Sequence, residues 1–147
     1  MSRILKRKFQ SIHNMPSYKV MGTVSPEIMK KLTDLTVNKN TEVAQEIVTA
    51  IAQVLKANIT GMAADAYVEP FETDWINRLN YETPTGIFYL ISEGDADIQF
   101  PKESVKIQPG KVYFVDERQT FKISSPNNTR VCLMSGRFTW NKEVHGD

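Results

Sequence analysis

The stretch that decides the fold is PGKVYFVDERQTFKI, from Pro109 to Ile123. A Pro-Gly turn opens a mostly apolar run, 112–115, of the kind that forms a buried strand. Five polar residues, 116–120, interrupt the run before the chain turns apolar again. The stretch therefore predicts two strands of a β-sheet protein, joined by a polar loop.

Short strands are predicted on both sides of this stretch. Turn signals such as Glu93-Gly94-Asp95 and Pro109-Gly110 separate apolar runs between residues 66 and 140. Several short strands at this spacing are typical of an antiparallel sandwich or barrel. The predicted strands are 66–70, 75–81, 86–91, 96–100, 104–107, 111–115, 120–123 and 130–138.

Two helices are predicted before the β region. Ser25 is a typical N-cap, and Pro26 suits the first helical position. Thr41 is placed to cap a second helix, whose apolar residues follow a helical period. These apolar positions are 43, 47, 50, 51, 54 and 55.

The predicted fold class is α+β, mainly β, with two N-terminal helices packed on an antiparallel jelly roll. The 147 residues form a single predicted domain. It has an N-terminal arm over 1–24, a helical part over 25–60 and a jelly-roll body over 66–140. Aromatic residues at alternating strand positions are expected in its core.

Charge and cysteine content exclude several classes of protein. The 18 basic and 17 acidic residues give a net charge of +1, which argues against a dedicated nucleic-acid binder. The exception is the basic arm, residues 3–8, which suits either contact with phosphate or lipid, or a solubilising terminus. The one cysteine, Cys132, forms no intramolecular disulfide and is expected to be buried. Without an apolar run of signal-peptide or membrane-span length, we expect a cytoplasmic or virion protein.

The β body resembles the double-stranded β-helix of the 2-oxoglutarate- and Fe(II)-dependent hydroxylases. The aspartyl/asparaginyl and prolyl hydroxylase-like branches are the most similar, and cupin domains share the jelly roll. The resemblance covers about residues 66–140. The segments that carry it are 78–80, 89–100, 105–116 and 129–133.

The resemblance also shows what this chain lacks. The family holds iron with His-x-Asp/Glu and a distal His. By resemblance these ligands fall at Glu72, at Asp74, and at Thr120 or Phe121. Neither a hydroxyl nor a phenyl ring replaces imidazole, and the histidines of this chain, residues 13 and 145, lie near its ends. We therefore expect no metal site, with Glu72 and Asp74 as solvated acids.

Arg130 matches the arginine that binds the co-substrate carboxylate in the family. With Asp116 nearby, it is the candidate ligand-binding residue of a retained anion pocket, and it would then point into the barrel. The alternative is a cross-strand ion pair between Arg130 and either Asp116 or Glu117. An outward-pointing Arg130 would favour a role in assembly.

The leading functional hypothesis is a non-catalytic binding or assembly module without a cofactor. Its partner would be another protein or a second copy. Small jelly rolls of this kind resemble accessory or structural proteins of tailed phages. The alternatives are a divergent oxygenase that uses 2-oxoglutarate and Fe²⁺, and a cupin-like sensor that binds a small carboxylate.

Overall fold

In a computed structural model the chain forms two helices and two antiparallel β-sheets. The structure describes residues 17–76, 85–116, 119–126 and 130–139. The described helices are α1 (Pro26–Val37) and α2 (Ala44–Leu55), with a 3-10 turn, Thr41–Val43, between them. The described strands are β1 (Lys19–Thr23), β2 (Ile59–Tyr67), β3 (Phe71–Glu72), β4 (Thr85–Glu93), β5 (Ala96–Gln99), β6 (Ser104–Ile107), β7 (Lys111–Asp116), β8 (Lys122–Ser125) and β9 (Val131–Thr139).

The strands are wound as a jelly roll. The large sheet has the order β1-β7-β4-β9-β2, and the small sheet has the order β3-β8-β5-β6. From β2 onward the chain crosses between the sheets at every step except β5 to β6, which form a hairpin. This winding is that of a double-stranded β-helix, so the predicted fold class is confirmed.

Two apolar layers hold the fold together. Successive strand residues point to opposite faces, so β4 sends Ile87, Tyr89 and Ile91 between the sheets. It sends Phe88 and Leu90 to the other face, where they pack against the helices. The predicted aromatic core is confirmed at Phe88, Tyr89, Phe100, Tyr113 and Phe114, and Tyr81 lies outside the described residues.

The helices begin near the predicted positions. The Ile28 N–H donates to the Ser25 hydroxyl at 3.2 Å, which confirms the first cap. Thr41 does not cap the second helix: α2 begins after Val43 without a side-chain cap. Asn40 caps the preceding 3-10 turn, where its side chain accepts from the Glu42 N–H at 3.2 Å. The predicted apolar stripe faces the sheet, with its central residues Ile47, Ile51 and Leu55 fully buried.

The bounds of two elements differ from the ranges given in the sequence prediction. The helical part ends at Leu55, and β2 begins at Ile59 although the jelly roll was predicted from residue 66. The segment 59–66 is rich in alanine and glycine, so its composition does not indicate a strand, but pairing with β9 overrides that weak propensity. In the arm, the sequence 18–22 also suggests a short strand, and β1 lies there and pairs with β7.

Two turns depend on glycine. Gly94 has φ +96°, and a Cβ there would lie 2.3 Å from the Arg130 carbonyl oxygen. Gly110 has φ +85°, and its carbonyl accepts from the Val24 N–H at 2.8 Å. The Pro109-Gly110 turn therefore starts β7 and also ties the entry of α1 to the large sheet.

Within the described residues, neither helix has the length and apolar character needed to cross a membrane.

We expect Ile51→Asp to lower the free energy of unfolding by at least about 3 kcal/mol, because it removes a fully buried side chain and buries a charge. A fall of roughly 10 °C in Tm would correspond to this loss. The control is Gln53→Asp at an exposed position of the same helix, which should leave Tm nearly unchanged. Equal melting of the two variants would contradict the packing of α2 on the sheet.

Candidate functional site

Phe121 is one of the two positions, with Thr120, that the resemblance assigns to the distal iron ligand. Its side chain is 0% exposed, and its ring centroid lies 6.3 Å from those of Tyr89 and Phe100. Its backbone bridges to Ile76, with N–H to carbonyl distances of 2.7 and 3.0 Å. The position is therefore part of the apolar core between the sheets.

The other two ligand positions lie at the surface, on β3 and on the segment that follows it. Glu72 and Asp74 are both exposed. Thr73, between them, is bonded to β8: its N–H donates to the Ile123 carbonyl at 2.9 Å, and its hydroxyl accepts from the Ile123 N–H at 3.1 Å. Glu72 forms an ion pair with Lys122.

Lys122 joins this acidic segment to an exposed aromatic ring. Its side chain is 17% exposed, and its ammonium lies 4.6 Å from the centre of the Trp75 ring. Contacts of this kind between a cation and an aromatic face are attractive. The contact of Lys122 with Glu72 depends on the β3–β8 pairing, which is not visible in the sequence.

These residues do not fit the iron that the fold family implies. Fe(II) in this family needs two imidazoles and a carboxylate at one point. Phe121 offers no donor atom, and the Glu72 carboxylate is bound to Lys122. Across the described ranges, no cluster of three or more His, Cys, Asp or Glu residues is placed to hold a metal ion.

Arg130 does not point into the barrel. Its side chain is 42% exposed, and its Nε donates to Glu93 Oε1 at 2.7 Å. The predicted partner Asp116 is buried opposite Gly86, at the other end of β4 from Glu93. Seven residues of strand separate the two ends, roughly 20 Å. Arg130 and Asp116 are therefore not brought together in this structure.

The alternative partner Glu117 lies outside the described residues. The sequence did not predict Glu93 as the partner of Arg130, because the cross-strand neighbours of an arginine depend on the order of the strands in the sheet. Arg130 immediately precedes β9, whose residue Cys132 pairs with Glu93 of β4. The Glu93-Gly94 turn was visible in the sequence, but its contact with the start of β9 was not.

Cys132 is buried, as predicted. Its thiol donates to Glu93 Oε1 at 3.2 Å. Burial is the largest cause that raises the pKa of the Cys132 thiol. A thiol with a raised pKa is a poor nucleophile, which agrees with a structural role.

A shallow groove crosses the small sheet. It has a volume of about 420 Å³, and its lining includes Phe71, Glu72, Asp97, Gln99 and Ser124. The Gln99 amide donates to the Ser124 hydroxyl at 2.7 Å. Burial raises the pKa of the Asp97 carboxyl, an effect that Lys106 partly offsets and Asp95 reinforces. Two carboxylates in the lining make the groove unsuitable for a small carboxylate ligand.

Solved structures share this fold at very low sequence identity. A prolyl hydroxylase from Trichoplax adhaerens, in complex with a peptide fragment of the hypoxia inducible factor oxygen degradation domain, matches with a TM-score of 0.62 and 8% identity over 99% of this chain and 96% of that chain. A Pseudomonas putida prolyl-4-hydroxylase matches with a TM-score of 0.57 and 10% identity over 96% and 97%. AviO1 from Streptomyces viridochromogenes matches with a TM-score of 0.56 and 10% identity over 84% and 90%.

No protein-family model matches the sequence, and no curated protein matches it. Structural similarity at such low identity shows the fold alone. The resemblance to the dioxygenase-like double-stranded β-helix is confirmed at that level. The chemistry of the hydroxylases does not follow from it.

We expect Asp97→Asn to raise Tm at neutral pH. Because the pKa of Asp97 is raised in the folded state, the charged carboxylate destabilises the fold. This destabilisation is lost once the carboxyl is protonated. The difference between variant and wild type should shrink as the pH falls below the pKa of Asp97. Thermal melts of both proteins from neutral to acidic pH measure this, and a variant that is less stable than wild type at neutral pH would contradict it.

We expect Arg130→Ala to change the free energy of unfolding by less than about 1 kcal/mol, because the Arg130–Glu93 pair is exposed. Calorimetry with 2-oxoglutarate and succinate should show no saturable binding to wild type. Glu93→Gln, which removes the same ion pair from the other side, is the matched control for stability. Saturable binding that Arg130→Ala abolishes would instead restore the anion pocket.

Proposed function

We propose that this protein is a non-catalytic jelly-roll module that acts through binding or assembly. The observation that carries the proposal is the buried ring of Phe121, one of the two positions that the resemblance assigns to the distal ligand, in contact with the aromatic core between the sheets. An enzyme of this fold needs a polar, ligand-lined space there. In this chain the same space is a packed apolar core.

The exposed apolar side chains support a binding role. Val68 is 65% exposed and Trp75 is 49% exposed, and both lie on the stretch of chain that enters and leaves β3. Large aromatic residues at the surface are enriched at protein interfaces. Glu69, Glu72 and Asp74 lie along the same stretch, so this surface is both apolar and acidic.

Small jelly rolls of this kind resemble accessory or structural proteins of tailed phages. The specific form of the proposed role is therefore that of such a protein, in the infected cell or the virion. The alternative of a 2-oxoglutarate oxygenase has the shared fold in its favour and the ligand set against it. The alternative of a carboxylate sensor has only Arg130 in its favour, and that residue is at the surface with Glu93.

We expect the purified protein, loaded anaerobically with Fe(II) and desalted, to retain no stoichiometric iron and to leave 2-oxoglutarate unchanged. A prolyl hydroxylase of the same fold, treated in parallel, shows that the assay works. Asp74→Ala is the matched variant and should behave as wild type. Stoichiometric iron that is lost in Asp74→Ala, together with turnover of 2-oxoglutarate, would refute the proposal.

A further inference from the structure

The large sheet ends at a long edge strand. Among the described strands, β2 pairs only with β9. An edge strand directs every second N–H and C=O group outward. The Ala66 N–H donates to the Asp65 carboxylate at 2.9 Å, so it points away from β9. By alternation, Met62 and Ala64 also direct their backbone groups outward.

β2 carries less protection than the other edges. Proteins shield edge strands by shortness, lysine or proline. Within the described part, β3 has two residues, β6 has four with Lys106, and β1 has five with Lys19. β2 has nine residues, without lysine or proline, and its one charge is Asp65. Asp65 pairs with Lys39 at 3.0 Å, but both side chains are exposed, so displacing this pair costs at most about 1 kcal/mol.

We infer that β2 pairs antiparallel with β2 of a second copy, across a two-fold axis at Ala63. The inference rests on the proposed function and specifies its mode of self-assembly. In this register Met62 lies opposite the partner's Ala64, and both have outward backbone groups. Each such pair exchanges two hydrogen bonds, and the two-fold axis repeats them.

The charges of β2 and β9 complement each other in this register. Asp65 lies opposite the partner's Gly61, and in each copy Gly61 pairs with Arg137 of β9. Residues directly opposite one another share a face of the sheet, so Asp65, the partner's Gly61 and the partner's Arg137 lie in one row on the same face. Because the middle residue is glycine, no side chain stands between Asp65 and the partner's Arg137. Two strand spacings, roughly 10 Å, separate their backbones, which is within the combined reach of the two side chains.

The side chains on the other face are also compatible with a second copy. Met62 is 41% exposed, and it would lie beside the small side chain of the partner's Ala64. Ala63, which lies on the axis, is small and faces its own copy without a clash. The contact involves one strand from each copy and is small. We therefore expect a dimer that forms in a concentration-dependent way.

Analytical ultracentrifugation of the full chain, from about 10 μM to about 1 mM, tests the pairing. The mass should rise from 16.8 kDa towards twice that value. Arg137→Glu should weaken the dimer by about tenfold or more, because it places a like charge within reach of Asp65 at both ends of the two-fold contact. The double variant Asp65→Arg, Arg137→Glu should restore it.

A backbone variant tests the same contact without charge. Met62→Pro removes an outward N–H and leaves the bonds to β9 intact, so it should fold and stay monomeric. Met62→Ala keeps the N–H and is the matched control, which should still dimerise. Circular dichroism and Tm of every variant show that the fold is kept.

A wild type that stays monomeric throughout the range overturns the inference. So does a dimer that neither Arg137→Glu nor Met62→Pro weakens, or a double variant as weak as Arg137→Glu. These outcomes are separable from failure of the proposed function. An iron-free monomer overturns the pairing alone, and an iron-loaded dimer that consumes 2-oxoglutarate overturns the proposed function alone.

Discussion

The fold depends on the burial of β4 and β7 on both faces. Every residue from Gly86 to Ile91 is buried, and so is every residue from Val112 to Asp116. Strands of this kind cannot have a solvated side, so each face of the large sheet needs its own apolar cover. The small sheet covers one face and the two helices cover the other. The N-terminal helices are therefore as necessary to the fold as the second sheet.

The same constraint limits what chemistry the barrel can hold. The space between the sheets has to be either a packed core or a polar site, because an unpaired polar group placed among apolar side chains is costly. Tyr89, Phe100 and Phe121 fill that space with aromatic rings. Tyr113, on the same face, directs its hydroxyl to the chain end of β6, where it accepts from the Gln108 N–H at 3.0 Å. The polar atom of that ring is thus satisfied at the rim of the core.

Local patterns in the sequence predicted the elements whose causes are local. The Ser25-Pro26 start of α1 and the period of α2 need only neighbouring residues, and both were predicted. The start of β2 and the partner of Arg130 depend on which strands become neighbours. Gly61, Ala63 and Ala64 carry no strand signal of their own, and Glu93 is 37 residues from Arg130 along the chain. Which strands become neighbours depends on their order in the sheet. The resemblance implied that order only for the general fold.

The proposed binding role would depend on the rims and the sheet edges of the barrel. The exposed apolar residues of the described part support this role, since Met62, Tyr67 and Val68 lie on or just after the edge strand β2. Tyr67 also stacks on Phe71 of β3, with ring centroids 4.4 Å apart, so the end of β2 is anchored to the small sheet. An edge that is held rigid before it meets a partner loses little conformational entropy on pairing. The contact between Tyr67 and Phe71 therefore suits the strand pairing that we propose for β2.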